Sequence, residues 1–334
     1  MAYDLYKQRK HWLDITKGIG IILVICGHLF TYGGEIWCRI FAFHMPLFFF
    51  CSGITYKAGD TDFKSFFCKK AKGLLVPYIV VLLIGMTITV MIPSWRSQIT
   101  TNQIKNAIWN AQPEVFHVGQ IWFLICLFIV YCLFYILYLV INDDTTTWLL
   151  TIVVASFIIT HLNYLPFGTR LPFKLDTALY GIVFFIMGFL YNMHDAVINN
   201  RFSEYIISII ALGAFILYGN GPVNICEVSY GYDYTAFLFY ALSGIAVTII
   251  ISKAIRENSF LEYVGRHSLF IFTIHSFALY AYEKVLSLIH GKSIVHMSNM
   301  SDMDALLGGA IITASMAVLC VMYYKVKNTI KVRI

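Results

Sequence analysis

Residues 119–141 read GQIWFLICLFIVYCLFYILYLVI, without one charged side chain. About 20 apolar residues in helical form cross the ~30 Å hydrocarbon core of a bilayer, so this stretch predicts a transmembrane helix. Outward from it in both directions, comparable runs recur near 14–32, 39–56, 74–92, 148–163, 177–193, 205–219, 235–252, 268–288 and 305–323, joined by short polar connections. The composition agrees: 59% of the 334 residues are hydrophobic, 13% are charged and the mean hydropathy is +0.73, well above the roughly half-apolar make-up of soluble domains. The expectation is an all-α integral membrane protein with about ten transmembrane helices. One membrane domain fills residues 1–334, with no soluble domain. No internal repeat is evident, which weighs against transporter folds built from duplicated halves.

Ten spans put both termini on one side, and positive charge should collect there. Under that topology 16 Lys and Arg residues fall on the terminal side and 7 on the other, with Lys17 inside the membrane. Both termini are therefore expected to be cytoplasmic, in a multi-pass protein of the cell's inner, cytoplasmic membrane. Lys7, Arg9 and Lys10 precede the first span, but no small-residue cleavage site follows, which predicts a retained helix and not a removable signal peptide. The charge asymmetry explains the net charge of +6, so no nucleic-acid partner is implied. The eight cysteines lack CxxC spacing and read as small hydrophobes. Cys38 and Cys226 both fall on the expected outer side and could pair.

Ionisable groups inside a bilayer are costly and are candidates for function. The first span contains Asp14, Lys17 and His28. The step from Lys17 to His28 is eleven positions, which returns to nearly the same helix face about 16 Å along the axis. Asp14, three residues before Lys17, can pair with it and offset the burial of the cation. An interfacial Asp–Lys anchor is the plainer reading of those two. His28 lies among apolar residues and needs a polar partner. The second span, FHMPLFFFCSG, carries His44 near its outer end. The short connection between the two spans makes them antiparallel neighbours, with both histidines at similar depth. Two imidazoles there could form a metal site, a proton relay, a general base with its partner, or a structural packing pair. No carboxylate or cysteine is placed to complete a metal set, so no metal is expected.

Read in order, WLDITKGIGIILVICGH, FHMPLFFFCSG, KKAKGLLVPY, IWFLICLF and FLEYVGRHSLFIFTIH, spread over residues 12–275, resemble the membrane-bound acyltransferase family 3. The likeness is greatest to its sugar O-acetyltransferases of the fucose 4-O-acetylase type. The resemblance implies a ten-helix enzyme that transfers an acyl group, here acetyl, from cytoplasmic acetyl-CoA to a carbohydrate or lipid-linked glycan outside. It implies an envelope-polysaccharide role in contact with membrane lipid, and a homo-oligomer is possible. Members carry an arginine where Lys17 stands, with ten residues between it and the histidine at His28; lysine keeps the charge but not the planar fork. Lys69 and Lys72 match the family's paired basic residues before the third helix, although Gly73 stands where arginine is common. With Lys70 and Arg266 they suit the phosphates of CoA, while a solvated cytoplasmic loop is the alternative. His275 matches a recurrent histidine and Trp122 a WFL motif, where an aromatic interface anchor is the alternative. On this reading His28 is the general base, His44 orients it or the acceptor, and Lys17, set by Asp14, guides the donor. A transporter or flippase for glycan or lipid is the rival class.

Overall fold

The computed structural model describes residues 10–57, 62–162, 171–194, 201–290 and 301–333. Lys7, Arg9, Arg170 and Lys292 of the charge count lie outside them. The helices in chain order are α1 His11–Gly27, α2 Glu35–Ile54, α3 Phe63–Met91, α4 Pro93–Arg96, α5 Thr101–Trp109, α6 Trp122–Ile141, α7 Thr145–Leu162, α8 Leu175–Met193, α9 Arg201–Ile216, α10 Tyr234–Ile255, α11 Ser259–Arg266, α12 Ser268–His290 and α13 Asp302–Arg333. The described residues contain no strand, only an isolated bridge between Asn224 and Ser229.

Each of the ten apolar segments is helical. Among the described residues, seven helices are long and apolar enough to cross a membrane. α7 and α9 provide shorter apolar stretches, Thr145–Thr160 and Ile206–Ile216, and α1 has 17 residues. Large apolar side chains stand exposed along α3, including Val76, Ile79, Val80 and Leu83, and along α7, including Leu149, Val153 and Phe157. In water such continuous apolar faces would drive association, whereas lipid tails solvate them at no cost. Buried hydroxyls bond to the carbonyl one turn back, as Thr248 Oγ1 to Gly244 O and Ser252 Oγ to Thr248 O, both at 2.7 Å, which satisfies them without a tertiary partner.

Element boundaries depart from the hydropathy reading in two useful places. α3 begins at Phe63, some three turns before its apolar core, because Asp62 caps it through the Ser65 N–H at 2.8 Å and no helix breaker follows until Pro77. The expected loop 57–73 is thus largely helix, and its lysines are held on a rigid element. α1 ends at Gly27, earlier than its apolar run; Leu29 and Phe30 turn back onto the Cys26 carbonyl, and Gly33 adopts φ +75° in the connection to α2.

The chain divides into two compact units. The first comprises Met1–Leu47, Glu204–Gly221 and Ala236–Ile334, and the second Phe48–Ser203 and Pro222–Thr235. Within the first, α1 and α11 cross in backbone contact. A β-carbon on Gly18 would collide with the Leu261 carbonyl, and one on Gly265 with the Asp14 carbonyl. Within the second, the last turns of α2 cross α8 in the same way, Gly53 against the Phe185 carbonyl and Gly188 against the Phe50 carbonyl. Small residues that let backbones touch are how helices associate where no hydrophobic drive separates protein from lipid.

Candidate active site

The first unit holds most of the ionisable candidates. At the start of α1, His11 Nδ1 meets Glu262 Oε2 of α11 at 3.0 Å. Trp12 lies under the ammonium groups of Lys10, at 5.8 Å, and Lys253, at 5.7 Å. Arg266 is exposed at the end of α11, its Nε donating to the Glu262 carbonyl at 3.2 Å. The Glu262 carboxyl is held below its ordinary range, chiefly by the hydrogen bond from His11.

One turn further along, Asp14 and Lys17 are both half-buried. The pairing expected between them is not formed, and no hydrogen bond or ion pair holds the Lys17 ammonium among the described residues. The Gly265 crossing occupies the backbone of this turn. Lys17 therefore keeps its charge available for an anionic group.

His28 is the C-cap of α1, its N–H reaching the Val24 and Ile25 carbonyls at 3.3 Å. Residues on both sides of it, Val24 to Gly27 and Leu29 to Phe30, are buried, yet the His28 side chain is exposed. The early end of the helix explains this, because a cap residue can point away from the packed stripe. Behind it the helix is pinned by α13, where Gly309 abuts the Cys26 sulfur.

The structure gives His28 a different nearest histidine from the one its sequence neighbours suggest. The His28 ring lies 5.4 Å from that of His275 on α12, centroid to centroid and tilted by 33°. His44 meets Phe41 at 4.7 Å, and the edge of Phe41 meets His28 at 6.0 Å, so Phe41 touches both histidines of the first two helices. Phe41 itself stacks on Trp37 at 3.9 Å, and Trp37 packs against the exposed ring of Tyr32 at 4.6 Å. His44 and His275 are buried and have their tautomers fixed in the same way. Each Nδ1 donates to a carbonyl of its own helix, His44 to Ile40 O at 2.8 Å and His275 to Phe272 O at 2.7 Å. Each Nε2 is thereby left as an acceptor.

The second unit contains the remaining candidates. Lys69 and Lys72 are exposed on the first turns of α3, free to meet an anion. Lys70 differs: its ammonium sits 3.3 Å from the centroid of the Tyr131 ring on α6 and 5.9 Å from that of Phe66. Trp122 is buried at the start of α6, its ring 5.9 Å from the ammonium of Lys174. Lys174, counted from the sequence as an outer-loop charge, is 1% exposed. Its ammonium donates to Gln112 Oε1 at 2.7 Å, to the Cys226 carbonyl at 2.9 Å and to Cys226 Sγ at 3.3 Å. The lysine thus ties three loops together, and both it and Phe173 take positive φ to do so. Cys38 and Cys226, which could have paired, form no disulfide.

Sequence reasoning named His275 as a match to a recurrent family histidine without placing it beside His28, and missed Phe41 and the buried role of Lys174. Nothing local announces the meeting of α1 with α12, which come from opposite ends of the chain. The aromatic spacing of Trp37 and Phe41, one helical turn apart, was the available signal for the stack beside His28. Among the described residues, no group of three or more His, Cys, Asp or Glu could hold a metal ion. In comparison with known proteins, a family model described as an acyltransferase domain matches residues 10–325. Neither a curated protein nor a solved structure matches the chain.

Proposed function

The chain belongs to acyltransferase family 3 and is an acyltransferase, and from that premise we propose the rest of its chemistry: it moves an acetyl group from cytoplasmic acetyl-CoA to a hydroxyl of an extracytoplasmic or lipid-linked carbohydrate, as fucose 4-O-acetylase-like enzymes do. The proposal places it in the cytoplasmic membrane with ten spans and both termini inside, as one functional membrane domain serving the cell envelope. The observation that carries the catalytic part is the exposed His28 ring amid buried neighbours. A hydroxyl is a poor nucleophile until a base takes its proton, and a neutral imidazole suits that task near pH 7.

In this reading His28 accepts the proton of the acceptor hydroxyl as its oxygen attacks the thioester carbonyl. The carbon–sulfur bond then breaks, and His28 returns the proton to the departing thiolate. Lys17, with no hydrogen-bond or ion-pair partner among the described residues, supplies positive charge to the donor. Asp14 sets the local field around it. Arg266, Lys69 and Lys72 are the exposed basic residues suited to CoA phosphates, and Lys70 contributes through its place on Tyr131. His44 and Trp122 shape their surroundings by packing and do not act on the reacting atoms.

Sealed inverted vesicles, whose cytoplasmic face points outward, test the proposal. Added radiolabelled acetyl-CoA should label glycan enclosed in the lumen, and His28→Ala vesicles should lose this labelling by on the order of a hundredfold to ten-thousandfold at equal protein content. Right-side-out vesicles should label nothing unless acetyl-CoA is loaded inside. Glycan or lipid translocation without consumption of acetyl-CoA would instead establish a transporter.

A further inference from the structure

The inner face of the His28 ring meets a group with an unused lone pair. His275 is 0% exposed on α12, and its Nδ1–H is committed to the Phe272 carbonyl at 2.7 Å. Its Nε2 is therefore an acceptor only, and that atom is buried without a hydrogen-bond partner among the described residues. A buried acceptor left unpaired costs about 1–3 kcal/mol, so the site calls for a donor. The rings packed on His275 are those of Phe272, at 5.6 Å, and His28, at 5.4 Å, and only the second can donate. The His28 side chain is exposed and holds no hydrogen bond among the described residues, so its broad χ2 torsion is free to present a ring N–H.

We propose that His275 is the positioning residue of the transfer reaction: its Nε2 accepts one N–H of His28, which fixes the tautomer of His28 and leaves the opposite nitrogen with a lone pair facing the acceptor hydroxyl. This rests on the reading of His28 as base. The arrangement performs the orienting task that a carboxylate performs in a Ser-His-Asp triad, with a neutral acceptor in place of an anion. An anion buried at this depth would need a counter-charge, whereas a second imidazole needs only the Phe272 carbonyl to lock its tautomer. When His28 takes the substrate proton it becomes an imidazolium. One N–H then remains on His275 Nε2, and the other is returned to the leaving thiolate. His275 stays neutral throughout.

The test uses the full-length protein in lipid bilayers with ring-¹⁵N-labelled histidine. In the wild type, magic-angle-spinning spectra should show His275 protonated at Nδ1 alone, and a His28 N–H coupled across a hydrogen bond to the His275 Nε2. Absence of that coupling overturns the proposal without any variant. His275→Phe, similar in bulk but lacking the acceptor, should leave His28 as a mixture of tautomers. It should also lower turnover of radiolabelled acetyl-CoA by about 10- to 100-fold, the usual loss when an orienting partner is removed, with KM for acetyl-CoA unchanged. His275→Gln, whose side-chain oxygen can accept the same N–H, should recover most of that loss. A fixed His28 tautomer in His275→Phe, or turnover lowered to the same extent in the Phe and Gln variants, overturns the proposal. If the tautomer changes as expected and turnover does not, the positioning bond exists and the reading of His28 as base is what fails.

Discussion

Replacing Gly265 by alanine tests whether the α1–α11 crossing positions the reactive residues. The added β-carbon would overlap the Asp14 carbonyl oxygen, and would stand 2.7 Å from its carbon and 2.8 Å from the Gly18 nitrogen. Ordinary contact begins at 3.4 Å. The two backbones must therefore part by at least roughly 0.7 Å, and by more to clear the overlapping oxygen, a gap that forfeits at least a quarter to a half of each surrounding van der Waals contact. Overpacking of this kind costs about 1–3 kcal/mol. The displaced helix carries Lys17 and His28, and a misplacement approaching 1 Å costs on the order of a hundredfold in rate. Gly265→Ala should therefore lower the thermal unfolding midpoint of the detergent-purified protein, and should lower acetyl transfer per folded molecule by more than the stability loss explains. Gly73→Ala provides the contrast. No atom lies within 4 Å of a β-carbon there, and Gly73 lies inside α3. It should be neutral or stabilising by about 0.5–1 kcal/mol. Wild-type stability and activity in Gly265→Ala would refute the argument that this crossing sets α1.

The other predictions concern charge. Lys17→Arg should retain much of the acetyl transfer measured in vesicles, because the charge is kept, whereas Lys17→Ala should not; equal activity in both would reduce Lys17 to an interface anchor. The Glu262 carboxyl is held below its ordinary value near 4.5 by His11, so its contribution to stability is present above that value and is lost as pH falls through the lowered one. Thermal unfolding of wild type and Glu262→Gln should accordingly differ at neutral pH and converge in acid; a difference that grows on acidification would contradict the assignment. Single cysteines placed at Lys64 and Gln98 in a background without other thiols should label from the cytoplasmic and outer faces respectively, and the reverse pattern would invert the topology. Lys174→Met should lower the unfolding midpoint, because it leaves Gln112 Oε1 and the Cys226 carbonyl without their donor, at about 1–3 kcal/mol for each acceptor that stays unpaired; an unchanged midpoint would show that water replaces the ammonium.

The apolar runs were enough to place every long helix, because a bilayer demands a simple, local pattern of about 20 apolar residues that needs no knowledge of partners. The same locality made Asp14, Lys17, His28 and His44 stand out, since a polar residue in such a run is conspicuous by itself. What hydropathy could not supply was the end of each element. Asp62 extends α3 under Lys69, Lys70 and Lys72, and the turn after Gly27 frees the His28 side chain. Hydrogen bonds of one or two residues, invisible to a hydropathy pattern, decided both. Which polar groups meet was decided only by the tertiary fold. His28 and His44 are close in sequence, but Phe41 touches both, while His275 arrives beside His28 from a helix at the other end of the chain. Lys174 reads as a solvated loop charge until loops distant in sequence surround its ammonium with Gln112 and Cys226. Apolar burial is a property of a segment and is legible along it. A hydrogen bond between residues far apart depends on helix crossings to within an ångström, which here are set by glycines such as Gly18 and Gly265, whose importance lies in the side chain they lack.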